Sequence, residues 1–185
     1  MTLRAKRSLV WTGIIIVTAV TAYGIWWRYT FPYGWSHSCD KQLSMALTEY
    51  AQAHDGWYPR GEATPEASLS LLYREGLAGP WQLQGKTVPV SKVEAVLARG
   101  ELFDPDTCGW NYVEGFRSDD DGRLALFCDK VGLGHNGERW NGSHLVWFVN
   151  GTSNVVPASE WDSFLEEQRG LRARLPNLRA STREK

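Results

Sequence analysis

The chain has 185 residues, of which 43% are hydrophobic, and its formal net charge is -1. This length accommodates one ordinary domain and an appendage, and the near-zero charge gives no overall field that would attract nucleic acid, so we expect no nucleic-acid partner. The ten tryptophans indicate large flat side chains that are buried in a core or lie at a membrane or partner interface.

The first predicted element is a transmembrane helix over residues 8–28. Residues 8–27 carry no charge, and about 20 such residues cross the hydrocarbon core of a bilayer as a helix. Residues 1–7 form a basic N-terminus, whereas Arg28 alone closes the span, so the positive-inside rule places the N-terminus in the cytoplasm. The sequence therefore predicts a single-pass protein of the cytoplasmic membrane with a periplasmic or extracytoplasmic C-terminal domain.

Aromatic side chains gather where the span ends, as expected of rings that favour the headgroup region. They are Tyr23, Trp26, Trp27, Tyr29, Phe31 and Trp35. The alternative is a cleaved signal peptide, since the small residues 20–22 form a tolerable cleavage site. Retention is favoured because the apolar run is longer than a signal core and continues past that site.

The extracytoplasmic domain is predicted over residues 36–168 and begins with a long amphipathic helix that starts at Ser36 or Ser38. Its apolar residues recur at three- and four-residue steps, which predicts one buried stripe. Thr64 and the following proline predict the start of a second helix that ends at Gly76. A possible strand over 81–90 and a short helix from Ser91 to Gly100 follow.

The second half of the domain is predicted to be β-rich. Strands are predicted over 110–116, 123–128, 144–149 and 152–156. Asn150 and Gly151 predict a type I′ hairpin turn between the last two strands, and Ser159 caps a short final helix. Residues 170–185 are predicted to be a basic, mostly disordered tail. The fold class is therefore α+β, in which the long helix covers one face of a small antiparallel sheet.

Three cysteines, Cys39, Cys108 and Cys128, would lie in an oxidising space, where an odd number suggests one bridge and one spare thiol. None forms the C-x-x-C spacing typical of zinc sites. Cys108 and Cys128 flank an acidic turn on two predicted neighbouring strands, so a bridge between them is our first hypothesis.

Four stretches of the domain form a recognisable set: 39–56, with its Leu-x-x-Ala-Leu stripe, Tyr50 and terminal Asp-Gly; 124–130; 135–137, the His-Asn-Gly; and 145–151, an apolar run ending in Asn-Gly. Together they resemble type IV pilin-like proteins, and in particular the planctomycete-type pseudopilins related to type II secretion. Two features depart from the group. Gly13 is followed by Ile14 with no Phe and no nearby Glu, so prepilin processing and filament incorporation are not expected. The usual His to Asp-Gly spacing is lengthened, and Asn150 replaces the Asp.

This resemblance implies a non-enzymatic, membrane-anchored structural or assembly component of the cell envelope, connected with secretion. Its partners would be the membrane and other pseudopilin-like or envelope proteins, and it would need no cofactor. The predicted partner-contact loop contains His135, Trp140 and His144. One alternative is an envelope module that binds glycan or peptidoglycan through residues 132–143. A metal-dependent hydrolase is the last alternative.

The sequence disfavours three chemical hypotheses. His135 and His144 could bind a metal with Asp129, but neither helical spacing nor an H-E-x-x-H motif supports that site. Residues 119–122 could bind calcium, as a loop in some pseudopilins does, but the run lacks the EF-hand spacing, and an exposed turn is the simpler interpretation. Cys128 with either histidine lacks the local signature of a cysteine enzyme. No catalytic residue is therefore predicted.

Overall fold

The computed structural model describes residues 3–35 and 40–175. Its elements are α1 (Leu3–Thr30), α2 (Asp40–Ala53), α3 (Pro65–Arg74), α4 (Pro80–Leu83), α5 (Val90–Ala98), β1 (Trp110–Tyr112), β2 (Ala125–Asp129), β3 (His144–Phe148), β4 (Ser153–Val156) and α6 (Trp161–Arg172). The predicted α+β class, with an apolar N-terminal helix and a four-stranded antiparallel sheet, is confirmed. Cys39 and the predicted helix start at Ser36 or Ser38 lie outside the described residues.

Helix α1 carries the apolar segment Val10–Thr30, which is long and apolar enough to cross a membrane. None of this segment is buried by the rest of the chain. At about 1.5 Å per residue, its 21 residues extend about 31 Å, close to the thickness of the hydrocarbon core. One candidate span is therefore present in the described chain, at the N-terminal position that the sequence predicts.

The sheet has the strand order β1-β2-β3-β4, and every neighbouring pair is antiparallel. One face packs on α2 to α5, because Leu43 and Leu47 share a core with Trp110 and Phe127. The predicted cover by the long helix is thus confirmed. The opposite face is also covered, since Val146 packs in a second cluster with side chains of α6. The sheet therefore lies between two helical layers.

The predicted strand over 81–90 is wrong. This segment begins with the short helix α4, where Gly79 N–H donates to Gln82 Oε1, and then forms turns up to α5. Gly85 has a φ of +64° and packs directly against the backbone of Gly109. An extended strand would separate those two backbones, and their close contact therefore favours the short helix and turns over a strand.

The hairpin joining β3 and β4 is confirmed in position and corrected in type. Gly151 has a φ of +75°, whereas the φ of Asn150 is not positive. A type I′ turn needs both central residues at positive φ, so this is a three-residue loop that ends in a left-handed glycine. Asn150 Oδ1 instead accepts hydrogen bonds from the N–H and the hydroxyl of Thr152, at 3.0 and 2.7 Å.

The predicted bridge between Cys108 and Cys128 is not formed, because both thiols are free. Asn111 is the residue opposite Cys128 in the β1–β2 register. Cys108 belongs to the core under α2 to α5, whereas Cys128 packs with the α6 cluster. The two sulfur atoms therefore lie on opposite faces of the sheet.

The predicted start of the disordered tail at residue 170 is also corrected. Helix α6 continues through Gly170 to Arg172, and Leu171 and Leu175 are buried in the main core. The apolar stripe of α6 thus extends beyond the glycine. Residues 176–185 lie outside the described part of the chain.

Candidate functional site

A cavity of about 450 Å³ lies on the α2 side of the sheet, beside the loop that joins β2 to β3. Its walls are Asp40, Lys86, Gly134, His135, Glu138, Trp140, Leu145 and Val155. Two of the three residues predicted for the contact loop, His135 and Trp140, are therefore brought together around one space. Four charged or titratable side chains, Asp40, Lys86, His135 and Glu138, share its wall with apolar ones.

A buried ion pair supports one side of this cavity. Lys86 Nζ lies 2.7 Å from Asp129 Oδ2, and the two side chains are only 2% and 1% exposed. Lys86 also donates to the carbonyl oxygen of Leu133, while Asp129 Oδ2 accepts the N–H of Leu145 at 3.3 Å. The pair thus connects the segment after α4, the end of β2, the following loop and β3.

Burial raises the pKa of the Asp129 carboxyl group, because removal from water disfavours the charged form. The neighbouring ammonium of Lys86 acts in the opposite direction. Asp129 Oδ1 is buried without a hydrogen-bond partner among the described residues. The carboxylate is therefore stabilised chiefly through its Oδ2 atom and by Lys86.

Asp40 joins the first turn of α2 to the sheet. The indole N–H of Trp147 donates to Asp40 Oδ2 at 3.1 Å, and the carboxylate lies at the positive end of the helix dipole. Trp147 also stacks on Phe127 with a ring separation of 6.1 Å. Asp40 consequently positions α2 over the sheet and forms one wall of the cavity.

His144 lies apart from the other two predicted loop residues. Its ring stacks on Trp161 of α6 at 3.9 Å, and its Nδ1 lies 3.1 Å from the carbonyl oxygen of Asp129. Side chains alternate along β3, so the neighbouring Leu145 points into the cavity while His144 points to α6. His144 packs α6 against the sheet and does not line the cavity.

The loop after β2 also binds the end of α1 directly. The Arg139 N–H donates to the carbonyl oxygen of Thr30, and Arg139 Nε donates to that of Tyr29, both at 2.8 Å. The guanidinium carbon lies 5.1 Å from the centre of the Tyr29 ring. A cation that binds the last carbonyl groups of a helix also complements its negative dipole end. Arg139 therefore fastens the domain to the apolar helix.

The sequence marked some of these residues only weakly. Asp129 ends an apolar strand, and its side chain lies on the same face of the sheet as that of Phe127, two residues earlier. A carboxylate in such a position indicates a buried charge. Nothing local identifies Lys86 as its partner, because 43 residues separate the two. Arg139 has no local signal either, since its partner Tyr29 lies 110 residues away in the chain and Thr30 is the next residue.

Metal binding finds little support in the geometry. Among residues 3–35 and 40–175, no group of three or more His, Cys, Asp or Glu side chains is arranged to hold a metal ion. The carboxylates proposed for calcium bind arginine groups instead: Asp119 accepts from Arg117 Nε, Asp120 from the Arg117 N–H, and Asp121 from Arg123. This segment is an exposed turn held by its own arginines.

The cavity presents the imidazole of His135, the carboxylate of Glu138 and the indole face of Trp140. The ammonium of Lys86 and the carboxylate of Asp40 are already engaged with Asp129 and Trp147. The thiol of Cys128 lies on the other side of the sheet, and burial raises its pKa to about 12. A thiol with that pKa carries almost no thiolate near neutral pH, and the thiolate is the nucleophile. The arrangement is therefore suited to holding a molecule or a neighbouring surface by hydrogen bonds and stacking.

Comparisons with protein-family models, with curated proteins and with solved structures find no match to this chain. The resemblance to pilin-like proteins therefore stays a prediction that depends on the residues quoted for it.

Proposed function

We propose that this protein is a non-enzymatic, membrane-anchored structural or assembly component of the cell envelope, with a pilin-like domain outside the cytoplasmic membrane. The observation that carries the proposal is the apolar segment Val10–Thr30, which its own domain does not bury and contacts through Arg139 at its last two residues. An uncovered apolar helix in a bilayer contacts only lipid and other helices. It is thus available for lateral assembly.

The domain supports the same function. Leu43 and Leu47 of α2 pack on a four-stranded antiparallel sheet, which is the arrangement that the pseudopilin resemblance implies. The charged residues beside the cavity are engaged in contacts that hold elements together, such as Lys86 with Asp129 and Asp40 with Trp147. A domain whose elements are held together in this way and that is attached to an apolar helix suits a subunit that is positioned at the membrane.

Two glycines of α1 offer a surface for close helix contact. A Cβ atom added at Gly13 or Gly24 would meet no other atom within 4 Å. Small residues let the backbones of neighbouring transmembrane helices approach closely. We therefore assign the lateral contact to the side of α1 that carries these glycines.

Chemical cross-linking in native membranes, followed by gentle detergent extraction of the full chain, tests this proposal. We expect adducts with envelope proteins or with a second copy, and at least a threefold loss of these adducts in Gly13→Ile and Gly24→Ile. Ala22→Ile adds bulk on the opposite side of the helix, because 3.6 residues per turn place Ala22 across the helix from Gly13, and it serves as the matched control. A chain that stays free of protein adducts, or that responds equally to all three substitutions, contradicts the assembly function.

A second candidate function is binding of a glycan or peptidoglycan fragment in the cavity beside Lys86. The observation that favours it is Trp140, which lines the cavity and is 43% exposed, so that an indole face is available for a sugar ring. Equilibrium binding of soluble peptidoglycan fragments to the purified chain tests it. Trp140→Leu should weaken binding at least tenfold, while Trp81→Leu, at a comparably exposed tryptophan outside the cavity, should not. Absence of saturable binding contradicts this candidate.

A further inference from the structure

Exposed aromatic side chains of the domain lie beside the end of the candidate span. One hollow of about 380 Å³ is lined in part by Tyr29, Tyr33 and Trp140. A second hollow of about 250 Å³ is lined in part by Tyr33, Trp35 and Trp81. Because Tyr33 lines both, the two hollows form one continuous surface. We call these five residues the junction face.

The contacts of Arg139 fix the level of this face along the membrane normal. The span ends at Thr30, whose carbonyl oxygen accepts the Arg139 N–H at 2.8 Å. A 21-residue helix of about 31 Å fills the hydrocarbon core, so Thr30 lies at its boundary. Trp140 follows Arg139 directly and is therefore held at the depth of the headgroups.

The chemistry of the junction face fits that depth. Tryptophan and tyrosine concentrate at membrane–water interfaces, where the ring meets apolar groups and the N–H or O–H meets water and headgroups. Trp81 is 54% exposed and Tyr33 is 51% exposed, although both are large and aromatic. Arg139 adds a cation of the kind that pairs with lipid phosphate.

Continuity with the span identifies lipid as the occupant. Tyr29 belongs both to the candidate span and to the junction face, so the surface begins on a helix whose surroundings are lipid. A soluble partner protein would have to displace headgroups to reach Tyr29 and Trp140 together. The lipid headgroup layer already occupies that level and needs no displacement.

We propose that the junction face lies in the outer headgroup layer of the bilayer, with Trp81 and Trp140 inserted between lipids, so that the domain is held in one orientation. This inference rests on the membrane anchoring contained in the proposed function. It assigns the α4 end of the domain and the loop after β2 to the membrane side. The exposed face of α2, which carries Met45, is left for the aqueous phase and for protein partners.

Photo-cross-linking of the full chain in vesicles of phosphatidylcholine and phosphatidylglycerol tests the proposal. The photoreactive residue p-benzoylphenylalanine replaces Trp81, Trp140 or, as the control, Met45, which is 62% exposed on α2. Mass spectrometry then counts lipid adducts per chain. We expect at least a fivefold higher yield from positions 81 and 140 than from position 45.

The outcomes separate this proposal from the anchoring on which it rests. If positions 81 and 140 give no more lipid adducts than position 45 while the chain resists extraction by alkaline carbonate, the anchor stands and the junction face is wrong. If carbonate releases the chain, the anchoring itself is wrong. If positions 81 and 140 attach to a second copy of the chain instead of lipid, the face is a protein interface and the proposal is overturned.

A second substitution tests the role of Arg139. Arg139→Ala removes the bond to the Tyr29 carbonyl and the contact with its ring, and should reduce the lipid adduct yield at position 140 at least twofold. Arg169→Ala, at an arginine of α6 whose side chain is 69% exposed, is the control and should leave the yield unchanged. Arg139→Ala keeps the backbone N–H bond to Thr30, so an unchanged yield would overturn the claim that the side chain of Arg139 contributes to the depth of the loop. Equal thermal unfolding midpoints in both variants show that the comparison concerns folded protein.

Discussion

Lys86 Nζ and Asp129 Oδ2 lie 2.7 Å apart at a point where both side chains are almost wholly removed from water. The two residues come from segments 43 positions apart, and their bonds to Leu133 and Leu145 extend the contact to the loop and to β3. Removing one charge of such a pair leaves the other buried without compensation, which is far more unfavourable than removing both. The pair therefore joins four segments and makes them mutually dependent.

Replacing either partner of this pair should destabilise the fold. Lys86→Met leaves the buried carboxylate of Asp129 without a counter-charge, and Asp129→Asn does the same to the ammonium of Lys86. We therefore expect each substitution to lower the free energy of unfolding by about 3–5 kcal/mol. The double variant should lose less than the sum, with a coupling of at least about 1 kcal/mol. Urea unfolding in detergent, followed by tryptophan fluorescence, measures these changes. Arg99→Met with Glu101→Gln, at an exposed pair, is the control cycle and should show no measurable coupling. Strict additivity at Lys86 and Asp129 contradicts the prediction.

The destabilisation caused by Lys86→Met should decrease as pH falls from 7 to 4. Burial already raises the pKa of Asp129, and loss of the ammonium removes the main influence that lowers it. A carboxyl group whose folded-state pKa exceeds its unfolded value near 3.9 favours the folded state at low pH, and this contribution is lost as pH rises through the folded pKa. Unfolding curves at several pH values measure the difference from the parent chain. The variant carrying Lys86→Met together with Asp129→Asn lacks this carboxyl group and should show a flatter difference; equal slopes in both variants would exclude Asp129 as the titrating group.

The thiols of Cys108 and Cys128 should stay unmodified in the folded chain. Burial raises the pKa of each to about 12, so that almost no thiolate is present at pH 8. In a Cys39→Ser background, we expect neither thiol to react with iodoacetamide at pH 8 within an hour, and both to react in urea. Labelling of Cys128 should then accelerate about tenfold per pH unit up to pH 10, as the thiolate fraction rises. An intact mass lower by the two hydrogen atoms that a disulfide loses, or rapid labelling at pH 8, would contradict the prediction.

Features encoded by neighbouring residues could be predicted from the sequence. The apolar run of α1, the stripe of α2 and the cap of α3 depend on contacts within a few turns, and Thr64 does accept the Ala67 N–H as its position indicates. The β-rich runs also appear close to their predicted places, because alternation and turn residues are local signals. The junction between Arg139 and Thr30 has no such signal, since it depends on the final arrangement of the chain.

The errors have the same physical origin. The cysteine pairing failed because it depends on strand register, which places Asn111 opposite Cys128. Residues 81–90 contain a short mixed run whose periodicity suits a strand as well as a compact turn, and only the contact of Gly85 with Gly109 decides between them. A disordered tail from residue 170 is predicted from its basic residues and its few large apolar groups, yet two of those groups, Leu171 and Leu175, are buried in the main core.

The contact between Gly85 and Gly109 should tolerate no side chain. A Cβ atom at Gly109 would overlap the carbonyl oxygen of Gln84 and lie 2.8 Å from the Cα of Gly85 and 2.9 Å from the carbonyl carbon of Gln84; all three atoms belong to the backbone. Gly109→Ala must therefore separate the segment after α4 from the start of β1, with a loss of about 3 kcal/mol or more in the free energy of unfolding. Gly170→Ala is the matched control, since a Cβ there meets no atom within 4 Å and alanine favours the helix by about 1 kcal/mol. Urea unfolding of the two variants should thus shift in opposite directions, and a Gly109→Ala chain as stable as the parent would show that the two backbones do not approach closely.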